Sequence, residues 1–282
     1  MKKYWLPLGW LPLGLLLALS FPDAARQVDA QSLQVRVDRW LEVREATGTV
    51  TYQQGQNSRN ARVGTRLQAV GETIRTGQGA NAVLAVDTGI GFVNVSENTT
   101  LRVQSLEATN SGGRITQLQV LGGQARLQVR RLTNPDSRLE IQTPAGVSGV
   151  RGTDFGVSVQ PDGKTGVVTL EGGVVASAQG QSVAVNAGFQ SLVIPGEPPS
   201  PPVPLRDDPG LDLRQLTAEP NRTARIAGQV DPVNLVQIEN EPLVLDRQGN
   251  FDVTVPLPAN RSIEAVVTTP LGKQQVYQLL IP

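Results

Sequence analysis

Residues 82–129 read AVLAVDTGIGFVNVSENTTLRVQSLEATNSGGRITQLQVLGGQARLQV. Ala82–Val86 is a continuous apolar run of strand length. Phe92–Val95, Leu101–Val103, Leu118–Leu121 and Ala125–Val129 alternate apolar with polar residues, the period of a half-buried strand. Gly89–Gly91, Gly112-Gly113 and Gly122-Gly123 separate these runs. Strands recurring roughly every 8–12 residues between glycine breaks are the signature of an all-β sandwich, barrel or solenoid. No window carries the sustained 3.6-residue apolar stripe of an amphipathic helix.

The same pattern extends outward. From Val43 alternation dominates, with Thr49–Tyr52 leading into a polar, glycine-bearing turn at Gln53–Asn60. Near Ile194 the composition changes abruptly: IPGEPPSPPVPLRDDPG (Ile194–Gly210) is too proline-dense to donate a ladder of hydrogen bonds and favours extended geometry, so it reads as a semi-rigid spacer. Strands then return, at Val233–Ile238, Leu243–Leu245, Phe251–Val255, Ile263–Val267 and Gln275–Leu279, with a turn at Asp246–Gly249. This predicts a small antiparallel module, shorter than a full immunoglobulin domain.

The chain has 282 residues, with 29 Gly and 20 Pro, so turns are frequent and long helices disfavoured. Aromatics are 4% of the residues, which leaves the core to Val, Leu, Ile and Ala. Formal net charge is +0, so nothing favours a polyanion and nucleic acid is not an expected partner. There is no Cys and no His. The first removes any disulfide framework; together the two absences remove the commonest general base and leave only oxygen ligands for a metal. No cofactor is expected.

Lys2 and Lys3 precede the apolar run Leu6–Leu19, and small residues follow up to Val28-Asp29-Ala30. This reads as a signal peptide, residues 1–30, cleaved after Ala30 or alternatively after Ala25. The run is short for a membrane span and is interrupted by Pro7, Gly9, Pro12 and Gly14, so no stable membrane insertion is expected after cleavage. The expected location is the periplasm or the cell surface.

The stretch 43–194 resembles the FecR domain. Ala46–Val50, Val63-Gly64, Gly71–Gly77 and the strand Val83–Val86 stand in the family's order, followed by Val120–Ala125. The most specific match is Leu139–Ile194: Thr143-Pro144, then Val150-Arg151-Gly152-Thr153-Asp154-Phe155, then Leu170-Glu171-Gly172-Gly173-Val174 and Asn186-Ala187-Gly188. The departure lies at Asp87–Gly91, where the family tends to place a short Asp-Gly-Ser turn. The resemblance implies a β-solenoid-like or roll-like domain and, in regulatory members, partner sensing in the periplasm in front of a membrane-anchored antisigma segment. Nothing here resembles that segment, so a stand-alone exported member is expected. The tail resembles, more loosely, a bacterial immunoglobulin-like module through Gly228–Pro232, Val236–Ile238, Gly249–Phe251 and Ile263–Thr268. The expected organisation is thus a signal peptide (1–30), a FecR-like domain (43–194), a Pro-rich linker (195–218) and a small immunoglobulin-like β module (219–282).

The motif residues Thr143, Pro144, Arg151, Gly152, Thr153, Phe155, Glu171, Gly172 and Gly188 read as structural. Gly152 permits a tight bend, Thr153 and Asp154 can bond nearby backbone, Arg151 can pair with Glu171, and Phe155 is core. Gly146-x-x-Gly149-x-x-Gly152 is followed by no helix pattern, so it does not cradle phosphate. The acids Asp87, Glu97, Asp154 and Glu171 stand in no recognisable catalytic context. Asp246-x-x-Gly249-Asn250-x-Asp252 falls short of a Ca²⁺ loop, and a hairpin turn explains it. The expected function is a non-enzymatic protein-binding or scaffold module of the cell envelope, with signalling a further option. Its partner would be an envelope protein, through β-strand addition to an exposed edge. The alternative is a cell-wall glycan, as in a glycan- or peptidoglycan-binding surface protein, or, as a rival class, a carbohydrate-active enzyme. Sugar rings usually stack on exposed aromatics, and beyond residue 30 only Trp40, Tyr52, Tyr277 and four Phe are available, which favours protein partners.

Overall fold

The computed structural model describes residues 39–150 and 152–282. The predicted signal peptide and Arg151 lie outside the described residues, and with Arg151 so does the expected pair between it and Glu171. Those described hold 24 strands and no helix, an all-β architecture as the alternation predicts.

The first seventeen strands are β1 (Leu41–Thr47), β2 (Val50–Gln54), β3 (Asn57–Asn60), β4 (Arg66–Leu67), β5 (Thr73–Thr76), β6 (Asn81–Val86), β7 (Gly91–Val95), β8 (Thr100–Ala108), β9 (Arg114–Val129), β10 (Arg138–Gln142), β11 (Val147–Val150), β12 (Asp154–Val159), β13 (Thr165–Glu171), β14 (Gly173–Ala178), β15 (Gln181–Asn186), β16 (Phe189–Val193) and β17 (Val203–Pro204). They wind into a two-layered roll. One layer runs β4-β1-β6-β7-β9-β12-β13-β16-β17. The other runs β3-β2-β5-β8-β9-β10-β11-β14-β15. Every pairing is antiparallel except β9–β10, which is parallel.

Strand β9 belongs to both layers. Its first half pairs with β8 and β10, and its second half with β7 and β12. The corner falls at Gly122-Gly123, which sequence alone reads as a break between two strands. The chain instead bends through it, because Gly123 takes φ +90° and any Cβ there would lie 2.3 Å from Thr99 Oγ1. That hydroxyl accepts a hydrogen bond from the Gln124 N–H (2.9 Å), which pins the bend. Strands that switch sheets through such bends make the corners of packed β layers.

The alternation has its expected outcome inside the roll. Leu101, Val103, Leu118, Val120, Leu127, Leu139, Ile141, Phe155 and Val157 are buried in one core, with Phe155 the single phenylalanine among its fully buried side chains. Each such side chain stabilises the fold by about 1.5–3 kcal/mol through removal of apolar surface from water. The predicted turn Gln53–Asn60 is a tighter hairpin than expected, since Asn57–Asn60 pairs with β2 as β3.

The tail contains β18 (Asp212–Glu219), β19 (Thr223–Gln229), β20 (Leu235–Ile238), β21 (Glu241–Pro242), β22 (Asn250–Pro256), β23 (Ser262–Thr268) and β24 (Gln274–Leu280). They form sheets β18-β19-β22 and β21-β20-β23-β24 around a second core that includes Ile226, Ile238, Phe251 and Ile263. Strand β18 lies in the stretch 195–218 read as linker except for its last residue, Glu219; between Pro209 and Pro220 no proline intervenes and the backbone can pair with β19. Leu243–Leu245, predicted as a strand, is a loop.

The proline-dense run does not hold the two parts apart. The described residues form one compact unit, and the tail lies on the outer face of β12 and β13. Phe155, Val157 and Val159 point into the roll, while Gly156, Ser158 and Gln160 point outward yet are equally buried. Ser158 Oγ donates to the Val233 carbonyl, Gln160 Nε2 to the Pro232 carbonyl (2.9 Å) and Gln124 Nε2 to the Pro270 carbonyl (2.5 Å). Val168, Val233 and Leu271 close an apolar contact beside them. The proline run itself lines the β16 edge, where Ser200 N–H bonds the Leu192 carbonyl and Leu205 N–H the Gly188 carbonyl.

Candidate functional site

Four chain segments meet at one end of the roll: the β6–β7 turn at Asp87–Gly91, the end of β9 at Gln128–Arg131, the start of β12 at Gly152–Asp154, and the β13–β14 turn at Glu171-Gly172. Between them opens a solvent-facing cleft of about 620 Å³. The family-motif residues contribute its floor. Gly152 sits at φ +129°, where a Cβ would lie 2.4 Å from the Arg131 Cα, so the two backbones touch. Thr153 is buried; its carbonyl accepts the Val129 N–H (2.9 Å), but its Oγ1 has no hydrogen-bond partner among the described residues. Gly172 packs against the Gly152 carbonyl.

Asp154 receives a bidentate pair from Arg126 (2.8 and 2.7 Å) and a third bond from Gln128 (3.2 Å). Burial pushes its carboxyl pKa up, but those hydrogen bonds and the Arg126 charge outweigh it and hold the pKa below the usual carboxylate value. Glu171 faces Asp154 across the β12–β13 ladder and is exposed. Phe92, on the outer face of β7, is 47% exposed at the cleft wall.

The other motif residues lie elsewhere. Thr143 closes the β10–β11 turn through its N–H to the Gly146 carbonyl (2.8 Å), and its hydroxyl accepts from Thr165 (2.9 Å). Pro144 packs beside Gly163 at an exposed corner. Gly188, between β15 and β16, donates its N–H to the Thr169 carbonyl (2.9 Å). Phe155 is core.

The remaining acids considered from sequence are engaged in structure. Asp87 is buried and accepts from Arg39 Nε and Nη2 (2.9 and 2.7 Å) and from the Trp40 N–H (3.0 Å). Glu97 accepts from the Gly79 N–H (2.6 Å) and Gln274 (2.8 Å). Asp246 caps its own turn through the Gln248 and Asn250 N–H groups (both 2.8 Å), and Asp252 is held by Arg225. Among the described residues no three acids come together as a metal site. Sequence reasoning missed Glu72, a buried carboxylate that accepts from the Tyr52 hydroxyl (2.7 Å), Gln54 (2.8 Å) and the Gln68 and Ala69 N–H groups (2.5 and 3.1 Å). Burial and this acceptor push the Tyr52 hydroxyl up to about 12. The only forewarning in sequence was a lone acid inside the Gly71–Gly77 family segment.

A second feature is the rim of the roll. Its layers end in four edges. The two-residue β4 and the two-residue, proline-bearing β17 close one layer, and the polar four-residue β3 begins the other. The last edge is β15, six residues (QSVAVN) with no charge, no proline and no bulge, which pairs only with β14 among the described residues. The Gln179-Gly180 turn puts Gln181 opposite Ala178, so the N–H groups of Ser182, Ala184 and Asn186 point away from β14.

No curated protein matches the chain. Among solved structures, two crystal structures of a candidate anti-sigma factor from Parabacteroides distasonis ATCC 8503 each align with 48% of this chain at 18% identity and a TM-score of 0.39. This chain spans 60% of the length of that one. A polysaccharide lyase aligns over 86% of this chain and 40% of its own at 12% identity and a TM-score of 0.20. Residues 72–175, from the buried Glu72 through the cleft-forming motif to β14, match the family model described as FecR protein.

Proposed function

We propose that this chain is an exported, non-catalytic FecR-domain protein that binds a partner polypeptide in the cell envelope, in a scaffolding or signalling role. The observation that carries this reading is the unguarded β15 edge. Natural proteins blunt such edges with charge, proline, bulges or covering segments, and three of the roll's four edges are short, polar or covered. An open, uncharged edge accepts an extended segment through main-chain hydrogen bonds, and alternate side chains then supply specificity. Of the acids weighed from sequence, Asp87 and Asp154 are held in ion pairs and Glu97 accepts hydrogen bonds from Gly79 and Gln274.

Ala184→Pro removes an outward N–H without touching the β14 ladder. The variant is expected to keep its melting temperature and to lose the partner that the mature chain captures from envelope extract. Capture by cell-wall sacculi alone, unchanged by the variant, would replace the polypeptide partner with a glycan. Export is checked separately: the processed chain should begin at Gln31, and recovery of Met1 in the membrane fraction would make the protein an anchored one.

A further inference from the structure

The cleft lining carries two arginines and two carboxylates, and among the described residues neither carboxylate pairs with either arginine. Arg130 and Arg131 leave the end of β9 side by side, both exposed, and among the described residues neither lies within 4 Å of a carboxylate. The Arg130 guanidinium reaches across the β6–β7 turn beside Gly89. A neighbouring concavity of about 320 Å³ shares both arginines and adds Arg114. On the acid side, Asp154 is already held by Arg126 and Gln128, and Glu171 has no ion-pair partner among the described residues. Two further observations point to a ligand. The Thr153 hydroxyl is buried in the cleft lining with no partner among the described residues. Phe92 offers an aromatic surface to the same space. Buried polar groups in folded proteins nearly always have a partner, so an orphan hydroxyl in the cleft lining is a group left to be satisfied.

We infer that this cleft binds the carboxylate of an acidic peptide segment, with Arg130 and Arg131 on the carboxylate and Phe92 against a neighbouring apolar side chain. The proposal rests on the polypeptide partner argued above and gives that partner a chemistry. Guanidinium groups bind planar carboxylates through paired, charge-assisted hydrogen bonds. Glu171 acts as the counterweight: it repels a second anionic group on its side and so sets the direction in which the segment lies.

The test uses the mature chain and a defined probe, N-acetyl-Leu-Glu-amide, followed through backbone amide NMR shifts. Shifts at Gly91, Gly152 and Gly172 should saturate with this probe and stay unchanged with its Leu-Gln counterpart. Arg130→Gln combined with Arg131→Gln should weaken binding by about tenfold or more, and Glu171→Gln should tighten it a few-fold. Retained melting temperatures show that these surface variants still fold. Equal shifts with the Leu-Gln probe, or binding indifferent to the arginine pair, would overturn the proposal. So would inorganic phosphate saturating the same amides at lower concentration than the peptide. The outcomes separate from those of the β15 edge: loss of capture in Ala184→Pro with a silent titration refutes the cleft alone, and a specific titration without any captured polypeptide refutes the function alone.

Discussion

Gly152 shows how a single residue decides whether the end of the roll closes. Its φ of +129° excludes ordinary side chains, and the Arg131 backbone occupies the space a Cβ would need. Gly152→Val is therefore expected to destabilise the protein by about 1–3 kcal/mol, read as a lower denaturation midpoint with an unchanged slope; an unchanged midpoint would make the glycine incidental. Two positions on, Asp154 gives a pH signature. Its carboxyl is held below the usual value in the folded state, against the cost of burial, by Arg126 and Gln128. Its contribution to stability is complete above the unfolded value near 4 and disappears as pH falls through the lower folded value. Melting temperatures of Asp154→Asn should accordingly be less sensitive to acid below about pH 4 than those of the wild type. A steeper acid loss in the variant would reverse the assigned sign.

At the scale of elements, β12 is the strand with two duties. One face fills the roll's core and the other carries the tail. A Cβ on Gly156 would lie 1.9 Å from the Pro270 carbonyl oxygen, so Gly156→Ala should lift the tail from its seat. The expected readout is proteolytic cutting within residues 195–211 and a second calorimetric transition; a single transition with no new cleavage would show that the seat adapts. This docking was hidden from sequence because Gly156, Ser158 and Gln160 merely alternate with the apolar Phe155, Val157 and Val159, and what covers a strand's second face is not local information. Strands with strict alternation, such as β7, β22 and β23, were legible, because a period of two leaves one solution. Gly122-Gly123 was not: two glycines mark a bend, but whether the chain reverses there or carries on into another layer depends on Thr99, more than twenty residues earlier. The candidate site was legible only as a motif. Gly152, Thr153 and Glu171 were singled out, whereas Arg130 and Arg131 join them through pairing between β9 and β12. A dibasic pair at the end of an alternating strand was their sole trace.

At the scale of the described residues as a whole, the tail packs against the roll. The proline run serves as an edge cover, so the exposed pairing capacity of the roll concentrates at β15. The cleft is lined by the ends of β9, β12 and β13 and the β6–β7 turn, and β15 runs along the opposite layer. A partner using both would therefore need two separate segments.

Strand β9 has a consequence in time. It is hydrogen-bonded on both sides in both layers, to β8 and β10 in one and to β7 and β12 in the other. A chain that emerges amino end first exposes β9 with one flank bare until residues 138–142 and then 154–159 have followed. Neither layer can be finished without the other, so partially emerged chains offer a sticky ribbon that a holding chaperone can recognise. Once β12 arrives, both layers lock in the same step, and the β9 amides should be among the last in the molecule to exchange with solvent.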